Sequence, residues 1–246
     1  MWMYVCGDND RTYYLREMAL ERGHSITCPR DAQVVVLPLP HSHVTRALGE
    51  TLHRGQILIC GLQDEALLHE AKTHGWKLIS VYEDEKYQQE NALDSAEGAV
   101  YALMREAPFA LKEKKCLVIG WGRLAKALKK YMEGLDVQVS VAARDPVKLQ
   151  TAGKNSMDIA SALDRISEYD LIVNTAPAQI IGRSALENIR KGALLMDTAS
   201  APYGFNLEEA RSLRVHAWRE NGIPGLYCPK TAARRLMDCI ERRCVI

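Results

Sequence analysis

Apolar residues along this chain fall in short continuous runs, separated by stretches in which they recur every three or four positions. That is the alternation of buried strands with amphipathic helices. The first part offers WMYVCG, AQVVVLPLP, QILICG and KLISVYE, each apolar enough for a parallel strand covered on both faces. Between them lie the helical patterns DRTYYLREMALERG, HVTRALGETL and DEALLHEAKTHG. The second part repeats the scheme with KCLVIG, VQVSVA, DLIVNTAP, ALLMDTAS and RVHAW, and with helical DIASALDRISEY and SALENIRKG among them. The expected fold class is α/β, two doubly wound parallel-sheet domains in series.

The stretch from Lys115 to Asp145 says more. It reads as strand, tight glycine turn, helix and second strand, with Gly120, Gly122 and Ala125 in the G-x-G-x-x-G/A spacing. The first small residue permits the turn, the second lets backbone N–H groups approach a pyrophosphate, and the third lets the helix pack on the strand. Gly134 is expected as the C-cap of that helix. The second domain is therefore read as a Rossmann dinucleotide-binding domain. Its cofactor contacts are expected from Gly120, Trp121, Gly122, Arg123 and Leu124, where the helix N-terminus favours phosphate. Asn174, Thr175 and Ala176, at the end of the VNTAP run, should face the same crevice.

The second strand bears on which nucleotide is held. An NAD site carries Asp or Glu near this strand's end to accept from the ribose 2′-OH. Here the run closes on Ala143 and Arg144, and a guanidinium suits a 2′-phosphate that a carboxylate would repel. NADP is expected over NAD. Asp145 is the competing reading, since it reaches a 2′-OH if the strand ends one residue later.

Asp94-Ser-Ala-Glu97 has the form of a capping box and is expected to open a helix running to about Glu106. That places a substrate or partner domain at residues 1–94 and the NADP-binding domain at 95–229. A last helix begins at about Lys230, and residues 230–246 are expected to pack back near the cleft. The 246 residues carry a formal charge of only +1, which gives no footprint for nucleic acid or an anionic membrane. No apolar run approaches a spanning helix, and MWMYVCGDND lacks the basic-then-apolar pattern of a leader. The seven cysteines are scattered without C-x-x-C pairs, and Cys6, Cys60 and Cys116 sit in apolar runs as core residues. A reducing cytoplasm is the expected compartment.

Several stretches together carry a family resemblance. Asn91-Ala-Leu-Asp-Ser-Ala-Glu-Gly98, VIGWGR, VNTAP, Asp197-Thr-Ala-Ser200 and Gly222-Ile-Pro-Gly-Leu-Tyr-Cys-Pro-Lys-Thr-Ala232 resemble, in order and spacing, the A subunit of dipicolinate synthase. The resemblance covers roughly Tyr87 to the C-terminus. Before that it is only in outline, through CGDNDR and VVVLPLP in a lobe that looks short for the family. It implies a nicotinamide-binding oxidoreductase that oxidises dihydrodipicolinate to dipicolinate, pyridine-2,6-dicarboxylate, in spore formation. It also implies the flavoprotein-like B subunit of dipicolinate synthase as partner, and a homodimer is the other assembly considered.

For the dicarboxylate, Ser42, Ser95, Lys230 and Thr231 are the expected contacts, the last three because they stand where helices are expected to begin. Asp94 stands where the resemblance leads one to expect proline, which sets a negative charge beside a dianion. His41, with His43 close by, and Asp197 are the candidate proton acceptors, and Lys230 is a further catalytic candidate. A metal reading of His41-Ser-His43 lacks a third ligand at regular spacing. Two other readings stay open: a dehydrogenase of another small carboxylic acid, and a non-catalytic partner protein that binds NADP.

Overall fold

The computed structural model describes residues 1–40 and 42–244. They form two compact units, residues 1–94 with the chain from Pro224 onward, and residues 95–223. The first unit contains β1 (Trp2–Val5), α1 (Asp10–Glu21), β2 (Ser25–Ile26), β3 (Val34–Val36), α2 (Arg46–Gly49), β4 (Ile57–Cys60), α3 (Glu65–His74), β5 (Lys77–Ser80) and the start of α4 (Glu85–Glu106). Its strands are all parallel, in the order β2-β1-β3-β4-β5. Val34, Val35 and Val36 are buried on both faces of the sheet, which is why this run shows no alternation.

The second unit runs through β6 (Lys115–Ile119), α5 (Arg123–Gly134), β7 (Gln138–Ala142), α6 (Pro146–Gln150), β8 (Ser156–Met157), α7 (Ile159–Asp164), β9 (Leu171–Asn174), α8 (Arg183–Glu187), β10 (Leu194–Asp197), α9 (Leu207–Ser212) and β11 (His216–Arg219). Its parallel sheet has the order β11-β10-β9-β6-β7-β8, that of a dinucleotide-binding doubly wound fold. The chain then forms α10 (Ile223–Tyr227) and α11 (Pro229–Arg243). Helix α11 packs along α1, and its Ala233, Leu236, Met237 and Ile240 join Met3, Leu15 and Val34 in the core of the first unit. The two-sheet parallel architecture expected from the hydrophobic pattern is what the chain adopts.

Two local expectations are corrected. No helix opens at Asp94: α4 is continuous from Glu85, and its N-terminus is capped by Asp84, whose Oδ1 accepts from the Tyr87 amide at 2.7 Å. Asp94 is instead buried mid-helix, where it accepts from Arg235 Nε at 3.4 Å. Gly134 is not the C-cap of α5 but its last helical residue. Leu135 caps the helix, and the left-handed residue that follows is Asp136 at φ 58°. Cys60 and Cys116 are packing residues, and burial pushes the Cys116 thiol up to about 12. Among the described residues no helix is long and apolar enough to cross a membrane.

Candidate dinucleotide-binding site

Strand register sets the floor of the site. Ala142, Ile119, Asn174, Asp197 and Arg219 stand in one row at the carboxyl edges of β7, β6, β9, β10 and β11. Strand order reverses between β6 and β9, and ligands of such sheets lie in the crevice beyond that reversal. A cavity of about 330 Å³ occupies it, bounded by the turn Gly120-Trp121-Gly122 on one side and Thr175, Ala176 and Pro177 on another.

The two glycines serve different needs. Gly120 has φ +107°, and a Cβ there would collide with Thr175 Oγ1, so the fold itself requires glycine. Thr175 is held by donating to the Ile119 carbonyl at 2.9 Å. Gly122 has φ −91° and ψ −170°, a conformation open to any residue, and a Cβ there would meet no protein atom within 4 Å. Nothing in the protein demands glycine at 122, whereas a phosphate lying against the backbone would. Gly122 is also the N-cap of α5 and supplies no side-chain hydrogen bond, so the positive end of that helix has no cap from the residue at 122 and suits an anion. Ala125, fully buried, lets α5 approach the sheet. The residues present fit a dinucleotide.

Beyond β7 the cavity is bordered by Ala143, Arg144, Asp145 and Lys148, and farther round by Ile159 and Ile180. Asp145 is occupied as the N-cap of α6: its Oδ1 accepts from the amides of Val147 at 2.9 Å and Lys148 at 3.3 Å. Arg144 is exposed and has no ion-pair partner among the described residues. Lys148 is a rim residue that the motif alone does not point to. Its signal in the sequence is the pair Asp145-Pro146, a cap followed by a residue suited to the first helical position, which sets Lys148 in the first turn of α6 facing the cavity.

Of the other expected cofactor contacts, Trp121 lines the cavity and is held by its Nε1 donating to Thr151 Oγ1 at 2.8 Å. Arg123 and Leu124 form the first turn of α5 and do not line the cavity through their side chains. Asn174 is fully buried, its Nδ2 donating to Asp197 Oδ1 at 2.8 Å and to the Ala176 carbonyl at 2.9 Å. It shapes the loop rather than facing a ligand.

The expected substrate and acid–base residues fare differently. Asp197 is corrected as a proton acceptor: it is 0% exposed, Oδ1 also accepts from the Ala199 amide at 3.0 Å, and Oδ2 accepts from the Gly204 amide at 2.7 Å. Its carboxylate is consumed in holding the loop after β10. Ser42 is corrected as a substrate contact, because its buried hydroxyl donates to the Pro38 carbonyl at 2.7 Å and accepts from the Gly61 amide at 2.8 Å. Ser95 lies in the interior of α4 and is buried, so the helix-end argument for it lapses. Lys230 opens onto a hollow of about 180 Å³ that it shares with Glu17 and Glu21 of α1, surroundings unlike those of a carboxylate receptor. Thr231, half-buried, is in the first turn of α11, whose N-cap is Cys228. His43 is exposed, and His41 lies outside the described residues.

A doubly wound sheet with an open helix N-terminus at its crevice defines the class, a dehydrogenase-type nicotinamide dinucleotide-binding protein. The chain belongs to the family described as D-isomer specific 2-hydroxyacid dehydrogenase, NAD binding domain, whose model matches residues 81–203. It is similar to the A subunit of dipicolinate synthase of Bacillus subtilis (strain 168), 22% identical over 189 residues. That alignment takes in 76% of this chain and 64% of the relative, so the chain spans less than two thirds of that relative's length. Among solved structures, the A subunit of dipicolinate synthase from Bacillus halodurans superposes with a TM-score of 0.88 at 19% identity, over 100% of this chain and 98% of the other. Its counterpart in the dipicolinate synthase of Bacillus subtilis does so with 0.84 at 17% identity, over 99% and 95%. The similarity expected from the motifs is thus found in both sequence and fold.

Proposed function

We propose that the chain is the nucleotide-binding component of a dipicolinate-forming oxidoreductase that uses NADP to oxidise dihydrodipicolinate to pyridine-2,6-dicarboxylate. The observation that carries this reading is the joint one, a dehydrogenase-type crevice in a chain whose sequence and fold both resemble the A subunit of dipicolinate synthase. The choice of NADP is supported by Arg144 and Lys148 at the rim, with Asp145 turned to capping duty. A bound nicotinamide would accept the hydride that leaves the ring. The protein's own part is to fix the pyrophosphate on the α5 N-terminus and hold the ring in line, since aromatisation supplies much of the driving force. With Asp197 buried, His41 is the proposed acceptor for the ring proton.

The relatives' name supports a second polypeptide, which we propose to be flavoprotein-like, in a cytoplasmic, sporulation-linked complex. The test is to give dihydrodipicolinate and NADP to the purified chain, alone and with that partner, and to follow the ultraviolet absorbance of the pyridine product. Slow turnover alone and a rate with the partner well above the sum of the separate activities are expected. Absence of pyridine product in both cases refutes the reading. Oxidation of a 2-hydroxy acid instead would favour a second one, motivated by the matched family's description.

A further inference from the structure

Helix α6, which carries Lys148, is only five residues long, and a helix that short does not hold its position by its own backbone bonds. Asp145 closes its N-terminus and Thr151 is its C-cap. The Thr151 hydroxyl donates to the Lys148 carbonyl at 2.7 Å, and the Thr151 amide donates to the same oxygen at 3.1 Å. A hydroxyl has one proton to give and lone pairs left with which to accept. That of Thr151 accepts from Trp121 Nε1 at 2.8 Å, across 30 residues of chain. A continuous line of hydrogen bonds thus runs from the middle of the phosphate turn, through Thr151, to the backbone of a residue at the cavity rim.

The backbone of the turn does not call for tryptophan at 121, because Gly120 and Gly122 set the path of the chain. Nor does the core call for it, since the indole is half-buried and stands outside the buried cluster of this unit. What the side chain does is reach α6, with Lys126 Nζ of α5 lying 5.8 Å from its ring centroid. The rim that it steadies is cationic. Arg144 and Lys148 both border the cavity, and neither has a carboxylate partner among the described residues. Long cationic side chains lose rotamer freedom when a ligand fixes them, so a rim held in place binds an anion better than one that must first be ordered.

We propose that Trp121 and Thr151 are positioning residues for cofactor selectivity: their strut fixes α6 relative to the phosphate turn, so that Lys148 meets the 2′-phosphate of NADP while the pyrophosphate rests on the turn. NADP carries phosphate at both the 5′ and the 2′ position of its adenosine ribose, whereas NAD carries it only at the 5′ position. A strut between the two phosphate-binding points therefore acts on the difference between the cofactors and not on what they share. This inference rests on the NADP reading proposed above.

Calorimetric titration of the full chain with NADP, NAD, adenosine 2′,5′-bisphosphate and AMP reads selectivity on whole cofactors and on fragments, and thermal melting reports integrity. Thr151→Val keeps the shape of the side chain and removes the hydroxyl. It should lower the preference for NADP over NAD by about fivefold, the worth of one hydrogen bond, and the preference for the bisphosphate over AMP should fall alike. Thr151→Ser should restore both. Trp121→Phe keeps a ring without the N–H; it should lower the preference as Thr151→Val does, and it keeps the test decisive if Thr151→Val melts early. In a Lys148→Met background, Thr151→Val should change the preference no further, since the strut acts through Lys148. Equal weakening of NADP and NAD by Thr151→Val, or an undiminished effect in the absence of Lys148, overturns the proposal by making the strut a general support of the fold. A preference unaltered by both Thr151→Val and Trp121→Phe, in a chain that favours NADP, overturns the strut and leaves the NADP reading standing. NAD bound as tightly as NADP by the unmodified chain sinks both.

Discussion

Each unit begins its sheet with an apolar strand, a glycine in the left-handed region and a helix, yet the two loops end in opposite states. After β1, Gly7 at φ +87° leads to Asn9, whose side chain accepts from the Thr12 amide while its own amide donates to Thr12 Oγ1. Arg16 adds to this by donating to the carbonyls of Val5 and Gly7. After β6, Gly120 at φ +107° leads to Gly122, which has no side chain to close the helix. One helix N-terminus is capped by the side chain at its N-cap and the other is not. Topology and the first glycine do not distinguish them; the residue at the N-cap does.

The largest effect that can break this comparison is expected at Gly122. Gly122→Val places a branched side chain in the open cavity and should lower nucleotide affinity by about 100-fold, the loss of two phosphate hydrogen bonds. Stability should fall by no more than about 1 kcal/mol, what a poor N-cap costs. Fluorescence titration with thermal melting checks both, and an unaltered affinity in a folded variant removes the phosphate from this turn. Next in size is Arg144→Glu, which should weaken NADP by about tenfold or more through loss of a charge-assisted contact, with NAD little affected. Equal or tighter binding of NAD by the unmodified chain would overturn that reading of the β7 end. Asn9→Ala is the converse probe: it should destabilise the first unit by about 1 kcal/mol in urea unfolding and leave nucleotide affinity where it was. The smallest expected effect is at Gly134. Since it sits at the helical end of α5 with open space around its Cα, Gly134→Ala should raise stability by about 0.5 kcal/mol rather than lower it, as thermal melting would show.

How far the sequence could be read depended on whether the signal was local. The segment from Lys115 to Asp145 was legible because strand, turn and helix each carry their own pattern within a few residues. Strands β2 and β8 were not, since Ser25–Ile26 and Ser156–Met157 are two residues long and have no period. The start of α4 is hidden in the sequence because Asp94 and Glu97 imitate a capping box in the middle of a helix, while Asp94 in fact meets Arg235, 141 residues away. Polar residues at strand ends and in the loops beyond them were the hardest. Ser42, Asn174 and Asp197 have the chemistry of ligand contacts, and only the fold reveals that backbone groups of neighbouring loops use them first.

The Asn174–Asp197 pair also constrains how this chain can vary. A side chain at Gly204 would drive its Cβ into the Asn174 amide, although the backbone at 204 tolerates any residue, and the Gly204 amide is itself bound to Asp197. Three positions scattered over 31 residues are thus interlocked: enlarging 204 evicts 174, and evicting 174 strips a partner from the acid at 197. Single changes at any of them should be disfavoured while a matched set is tolerated. In a collection of functional variants, 174, 197 and 204 should therefore be inherited as a block, a signature of mutual history and not of contact with any ligand.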